Sequence, residues 1–318
     1  MTAYHIGILD YRGAQAASVH GLLDLFEIAR RAHREQGGPH QLHSTRWPEQ
    51  PRMPALDHRM TALIVPPSLQ SEPPTDVAPA VRDFIRARHA DGTLLCSVCV
   101  GAFLLAETGV FHERTVTTHW ALADTFAARY PDIQVDVGRL LIDDGDVLTA
   151  GGLMAWVDLG LRLVARFLGA PTMLQTARML LVDPGGREQR FYMTFAPVLT
   201  HGDDAILKVQ RWLQSRLDQP VTVSMMARVA GLGQRTFLRR FQRATGLRSS
   251  AYVQHLRVAR ARQLLESTAM SQQEIAWEVG YQDAGSLRKA FLRWLGLSAG
   301  EYRRRFRTRP MAEVSPAM

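Results

Sequence analysis

Apolar positions in the first 181 residues fall into short β-rich runs separated by longer stretches with helical spacing. YHIGIL at 4–9, ALIV at 62–65, TLLCSV at 93–98 and VLTA at 147–150 read as strands, and the stretch from about Val19 to Arg34 and LMAWVDLGLRLVARFL at 153–168 read as helices. Strands alternating with helices predict an α/β domain over 1–181, a parallel sheet with helices on both faces. From Ala205 onward no β-rich run survives, and short helical patterns separated by glycines predict an all-α domain over 205–307. Between them, 182–204 holds Pro184, Gly185, Gly186, Pro197 and Gly202 with no sustained period and reads as a linker. PPSLQSEPPTD at 66–76 reads as a Pro-rich loop, and 308–318 as a flexible tail.

The all-α part repeats one plan. In VSMMARVAGLGQRTFLRRFQRATG at 223–246, Ala227 is small where two helices cross and Gly231 permits the turn. Phe237, Leu238 and Phe241 form the expected inward stripe, and Gln234, Arg235, Thr236, Arg239, Arg240 and Arg243 are left to contact a ligand. QEIAWEVGYQDAGSLRKAFLRWLG at 273–296 places Ala276, Gly280, Leu287 and Phe291 correspondingly, with Gln282, Ser286, Arg288 and Lys289 on or beside its outer face and Asp283 as N-cap. Residues 249–266 lack Gly and Pro and predict a rigid connecting helix. Two helix-turn-helix units so joined can enter major-groove segments about one DNA turn, roughly 34 Å, apart.

Charge strengthens this reading. The net +8 is uneven: residues 205–318 carry 20 Lys and Arg against 7 Asp and Glu, whereas residues 1–204 carry 18 against 23. A confined basic excess suits phosphate binding through counterion release, so double-stranded DNA is the expected partner of the C-terminal part. Arg303, Arg304 and Arg305 are expected to meet phosphates or water; Phe237, Phe241, Trp277, Phe291 and Trp294 are expected in the core.

RTFLRRFQRATG, LRVARARQLLE, IAWEVGY and GLSAGEYRRRF occur in that order, and through them residues 205–306 resemble the AraC family of regulators. Two departures are Gly233, where that family usually has Ser, and Ala299, where Pro is frequent.

Other classes recede. An apolar share of 46% and charged share of 21% are those of a globular protein, no apolar run would cross a bilayer, and the N-terminus lacks a secretory pattern, which together predict a cytoplasmic chain with no membrane partner. Cys96 and Cys99 are the only cysteines, and no Cys/His spacing suggests zinc, so no metal or cofactor is expected. Three residues along a strand span about 10 Å, beyond the roughly 7 Å between Cα atoms that a disulfide bridges.

In TLLCSVCVGAFLLAETG at 93–109 a buried-type strand meets a helix through a sharp turn at Cys99, an elbow that pushes a side chain into a cleft. A helix start beside a thiol favours the thiolate, which makes Cys99 a candidate nucleophile or ligand contact. Asp10, at the end of the first strand, and Thr118 are further cleft candidates, because ligands of open α/β sheets gather at strand carboxyl ends.

Through SVCVGAFLLAETG, TVTTHW at 115–120 and DDGDVLTAGG at 143–152, residues 4–181 resemble the ThiJ/PfpI branch of the class I glutamine amidotransferase-like superfamily. The resemblance implies a flavodoxin-like sheet. Enzymatic members pair the elbow cysteine with a His, matched by His119, and with a Glu after the first strand, a place that falls on Ser18; Pro67 stands where a Gly is frequent. Lacking that carboxylate, the domain is expected to bind a small-molecule effector and to dimerise rather than to catalyse.

The expectation is therefore a sequence-specific DNA-binding transcriptional regulator, homodimeric, with RNA polymerase as the further partner such a protein would meet. The alternatives are a cysteine-dependent amidase or hydrolase fused to a DNA-binding domain, with Cys99 as nucleophile and His119 as base, and an N-terminal domain that only dimerises.

Overall fold

The computed structural model describes residues 1–50, 59–70, 72–74 and 77–307; the tail expected at 308–318 and part of the Pro-rich loop lie outside them. The chain divides into two compact units, Met1–Gln189 and Arg190–Met318.

In the first unit, β1 (Ala3–Asp10), α1 (Ala16–Glu35), β2 (Gln41–Pro48), β3 (Ala62–Val65), α2 (Pro79–Ala90), β4 (Leu94–Val98) and α3 (Gly101–Ala106) follow in order. After them come β5 (Thr115–Val116), α4 (Ala123–Arg129), β6 (Gln134–Val135), β7 (Leu141–Asp143), β8 (Val147–Ala150), α5 (Trp156–Leu168) and α6 (Ala170–Leu180). The main sheet has the order β2-β1-β3-β4-β8-β7, with every pair parallel except β7 with β8. β3, β4 and β8 are buried along their whole length, which explains their unbroken apolar sequences. β2, an edge strand with only Leu42 buried, carries QLHSTRWP and no strand signal. α1 packs against both α5 and α6. At Gly160 of α5 a Cβ would stand 3.0 Å from Leu25 and 3.2 Å from Leu22 of α1, so a glycine is what allows these helices their close approach.

The second unit comprises α7 (Asp204–Gln214), α8 (Val223–Ala230), α9 (Gln234–Thr245), α10 (Ser249–Ser267), α11 (Gln272–Glu278), α12 (Ala284–Leu295) and α13 (Ala299–Phe306). Its apolar residues form two separate cores. One gathers Ile206, Val209, Met226, Phe237 and Phe241; the other gathers Ile275, Leu287, Phe291, Leu295 and Tyr302. α10 supplies Tyr252, Val253 and Leu256 to the first and Val258, Ala261 and Leu265 to the second.

The stretch read as a linker is packed, not free. Residues up to Gln189 belong to the first unit and those from Arg190 to the second, where the Phe195 ring lies 5.2 Å from Tyr252 and 4.9 Å from His255. Apart from one 3-10 turn at Gln189–Phe191 it forms no helix or strand before α7, yet Phe191 is buried and Phe195 packs against an apolar core of the second unit. No helix among the described residues is long and apolar enough to cross a membrane.

Candidate functional site

Each helix-turn-helix unit is set by its turn. Gly231 ends α8 at φ 66° and Gly280 follows α11 at φ 80°, left-handed conformations that glycine adopts without cost. The second turn has a further reason for glycine, since a Cβ at Gly280 would collide with the Leu217 carbonyl. Asp283 caps α12 as expected, its Oδ1 accepting the Ser286 N–H at 2.8 Å and its Oδ2 the Ser286 hydroxyl at 3.2 Å. Gly233 opens α9 with no side-chain cap.

With Phe237 and Phe241 buried, α9 turns Gln234, Arg235, Thr236, Arg239, Gln242 and Arg243 to solvent. Arg235, Arg239 and Arg243 make no hydrogen bond or ion pair with any described residue, and neither do the exposed Arg288 and Lys289 of α12. Gln282 is exposed beside the second turn, and Ser286 is half-buried and engaged in the cap.

Four expectations are corrected. Arg240 is not among the free cations: its guanidinium holds both oxygens of Asp203, at 2.7 and 2.9 Å, and ties α9 to the start of α7. That pairing keeps the Asp203 carboxyl below its ordinary range. Leu238, read as part of the inward stripe, is 41% exposed, because it stands one residue outside the Phe237–Phe241 line. Trp277, assigned to the core, is 59% exposed, and its indole N–H donates to the Gln282 carbonyl at 3.1 Å. Arg303 faces inward and donates to the Met270 carbonyl, whereas Arg305 lies over the Phe191 ring.

In the first unit Cys99 occupies the elbow expected of it, a non-glycine residue at φ 56°, with its N–H donating to the Ala150 carbonyl at 2.7 Å. Its sulfur faces the N–H groups of Val100 and Gly152, which favour the thiolate, yet the side chain is almost wholly buried. Desolvation outweighs those donors and pushes the thiol up to about 11. α3 behind it is only six residues long. Thr118 donates its hydroxyl to the Cys99 carbonyl at 2.8 Å. His119, next in the chain, makes no hydrogen bond with Cys99; its Nδ1 accepts the Ala121 N–H at 3.1 Å. A neutral imidazole so engaged carries its proton on Nε2, leaving that nitrogen a donor and not a base.

Comparison with known proteins agrees with both halves of this geometry. A model of the DJ-1/PfpI family matches residues 62–166, and a helix-turn-helix domain model matches residues 226–305. The chain joins a DJ-1/PfpI domain to an AraC-type helix-turn-helix domain. It is 26% identical over 238 residues to the HTH-type transcriptional regulator GlxA of Rhizobium meliloti, covering 73% of this chain and 72% of that one. Similarity to the regulator GbdR of Pseudomonas aeruginosa is 25% identity over 67% of this chain, spanning 58% of that protein's length. An isonitrile hydratase of Pseudomonas putida is 33% identical over 91 residues, 28% of this chain and 38% of its own.

The DJ-1/PfpI domain does not gather all its expected cleft residues. Asp10 is bound to Arg46 on the β1–β2 edge, at 2.5 and 2.6 Å. Ser18 lies within α1, fully buried, its hydroxyl without a partner among the described residues. Gln189, which sequence reasoning missed, joins instead. Its side-chain oxygen accepts the Trp120 N–H at 3.0 Å, and its nitrogen stands 2.9 Å from the Thr117 hydroxyl and from the Thr118 carbonyl. Gly151 leaves room for this buried amide, where a Cβ would collide with it. A glutamine in an aperiodic Gly/Pro stretch gives no signal of this role; Asp203 did carry one, as an Asp directly before a helical pattern.

The domain also holds a cavity of about 480 Å³ lined by Tyr11, Arg12, Glu49, Gln70, Val81 and Leu104, among others. It opens beyond the carboxyl ends of β1 and β3, between which the strand order reverses. Tyr11, part of its lining, donates its hydroxyl to the Pro66 carbonyl at 2.9 Å. Among the described residues no group of three or more His, Cys, Asp or Glu could hold a metal ion.

Proposed function

We propose that the chain is a transcriptional regulator that binds double-stranded DNA through α9 and α12 and a small molecule through its DJ-1/PfpI domain. The observation that carries the reading is the pair of helices, each behind a glycine turn, displaying Arg235, Arg239, Arg243, Arg288 and Lys289, none of which makes a hydrogen bond or ion pair with a described residue. Cations held outward on major-groove-sized helices contact phosphates and base edges. Relatives named as regulators support it.

Selection from a random duplex library with the full chain, at fixed salt, tests this directly. A consensus should emerge, and Arg239→Ala should weaken its binding by roughly tenfold or more, the span of one good base contact. Recovery of no consensus, with binding that only tracks salt, would leave a non-specific basic domain.

Effector binding is supported by the cavity beside Tyr11. Its size suits a metabolite, and its place at the reversal of strand order is where open α/β sheets take ligands. A metabolite screen should yield a thermal shift that Arg12→Glu abolishes. A hit unaffected by that change would move the site elsewhere.

The second reading, a cysteine hydrolase, draws on the elbow turn at Cys99 and on the likeness to an isonitrile hydratase. The buried thiol and the donor-facing His119 weigh against it. Hydrolytic turnover lost in Cys99→Ala would reinstate it.

A further inference from the structure

Leu238 is the fifth residue of α9, in the part of a reading helix that reaches base edges. Gln234 and Gln242 lie one turn before and after it, Arg235 three residues before and Arg239 directly after, and all four are exposed. Two of these neighbours, Arg235 and Arg239, are cations that make no hydrogen bond or ion pair with any described residue. A branched apolar side chain therefore stands at the edge of the very surface that is polar and basic, where contact with water gives it nothing. In the major groove only one base offers an apolar feature, the C5-methyl group of thymine.

We infer that Leu238 is a specificity-determining residue that reads a thymine methyl group in the target site. This rests on the DNA-binding reading above. The buried Phe237 and Phe241 set the rotation of α9 about its axis, and Arg240, bound to Asp203, ties the helix to the start of α7. That constraint holds Leu238 at the rim of the exposed face beside Arg235 and Arg239. Leu292 of α12 is similarly exposed, at 44%, but it is the ninth residue of its helix, beyond the N-terminal part that enters the groove. It serves as the internal control.

The test uses duplexes of the selected consensus in which each thymine is replaced, one at a time, by deoxyuridine, which removes the methyl group alone. Binding of the full chain, of Leu238→Ala and of Leu292→Ala is measured at one salt concentration. One uracil substitution should weaken the unaltered chain about fourfold, the equivalent of a single methyl group returned to water. Leu238→Ala should bind that uracil duplex and its thymine parent equally, while Leu292→Ala keeps the difference. Since Leu238 contributes to neither core, its variant should melt with the unaltered chain, and loss of methyl discrimination is then not a loss of fold. A consensus without thymine sensitivity, or a Leu238→Ala chain that still distinguishes uracil, overturns the assignment while DNA binding stands. Failure to select any consensus overturns the DNA-binding reading itself, and this assignment with it.

Discussion

Cys99 shows why position alone does not make a nucleophile. The elbow backbone and two N–H donors favour a thiolate, but burial sets the balance against it and raises the thiol to about 11. At pH 7.5 its alkylation should be on the order of a few hundred times slower than that of an ordinary thiol near 8.5, and should accelerate up to about pH 11. Mass spectrometry of iodoacetamide adducts against pH checks this; a plateau near pH 8 would show that the site is open in solution. A raised acid pKa also means that stability contributed by the neutral thiol is complete below its unfolded value, about 8.5, and is lost as pH rises toward the folded one. Gln189 adds a second control on the same thiol, because it holds the Thr118 carbonyl while the Thr118 hydroxyl holds that of Cys99. Gln189→Ala should speed Cys99 labelling at constant pH, and an unchanged rate would confine Gln189 to local packing.

Elements obey different rules from residues. β3 and β8 were legible to the residue because fully buried strands have no polar alternation to blur their ends. β2 and β7 were not, since an edge strand and a three-residue antiparallel strand owe their pairing to neighbours and not to their own composition. Both helix-turn-helix units were readable from Gly231, Gly280 and the buried phenylalanines, but the faces of their helices were not fully so. Apolar identity placed Leu238 and Trp277 inside, when only the helical angle of the first and the burial available at the second could decide. Arg239 and Arg240 are adjacent and chemically identical, yet among the described residues the first makes no hydrogen bond or ion pair and the second is bound to Asp203. Arg240→Ala should therefore lower the melting temperature more than Arg239→Ala, while Arg239→Ala costs more DNA affinity; the reverse order would disprove the division. Gly280→Ala combines a left-handed φ with a backbone collision and should cost more than the ~1–3 kcal/mol typical of strain alone, read by chemical denaturation.

At the scale of the whole molecule, the described residues form three apolar cores, one in the DJ-1/PfpI domain and two in the DNA-binding part. Unfolding should not be two-state. Phe241→Ala and Phe291→Ala remove fully buried rings from different cores and should each cost about 3–5 kcal/mol locally. Hydrogen exchange should show Phe241→Ala loosening α8 and α9 with α12 and the β-sheet protected, and Phe291→Ala the converse within the pair. Uniform loss of protection would instead mean that the cores fold as one.

Among the described elements α10 alone runs through both DNA-binding cores, and its 19 residues make it a ruler of about 28 Å. Inserting a single residue would lengthen it by about 1.5 Å but also turn the second reading helix through about 100°. Small steps in protein sequence thus cannot produce small steps in half-site spacing. Evolution of new targets is then left to the promoters, which must conform to a spacing the helix dictates, while the protein explores only which bases it prefers.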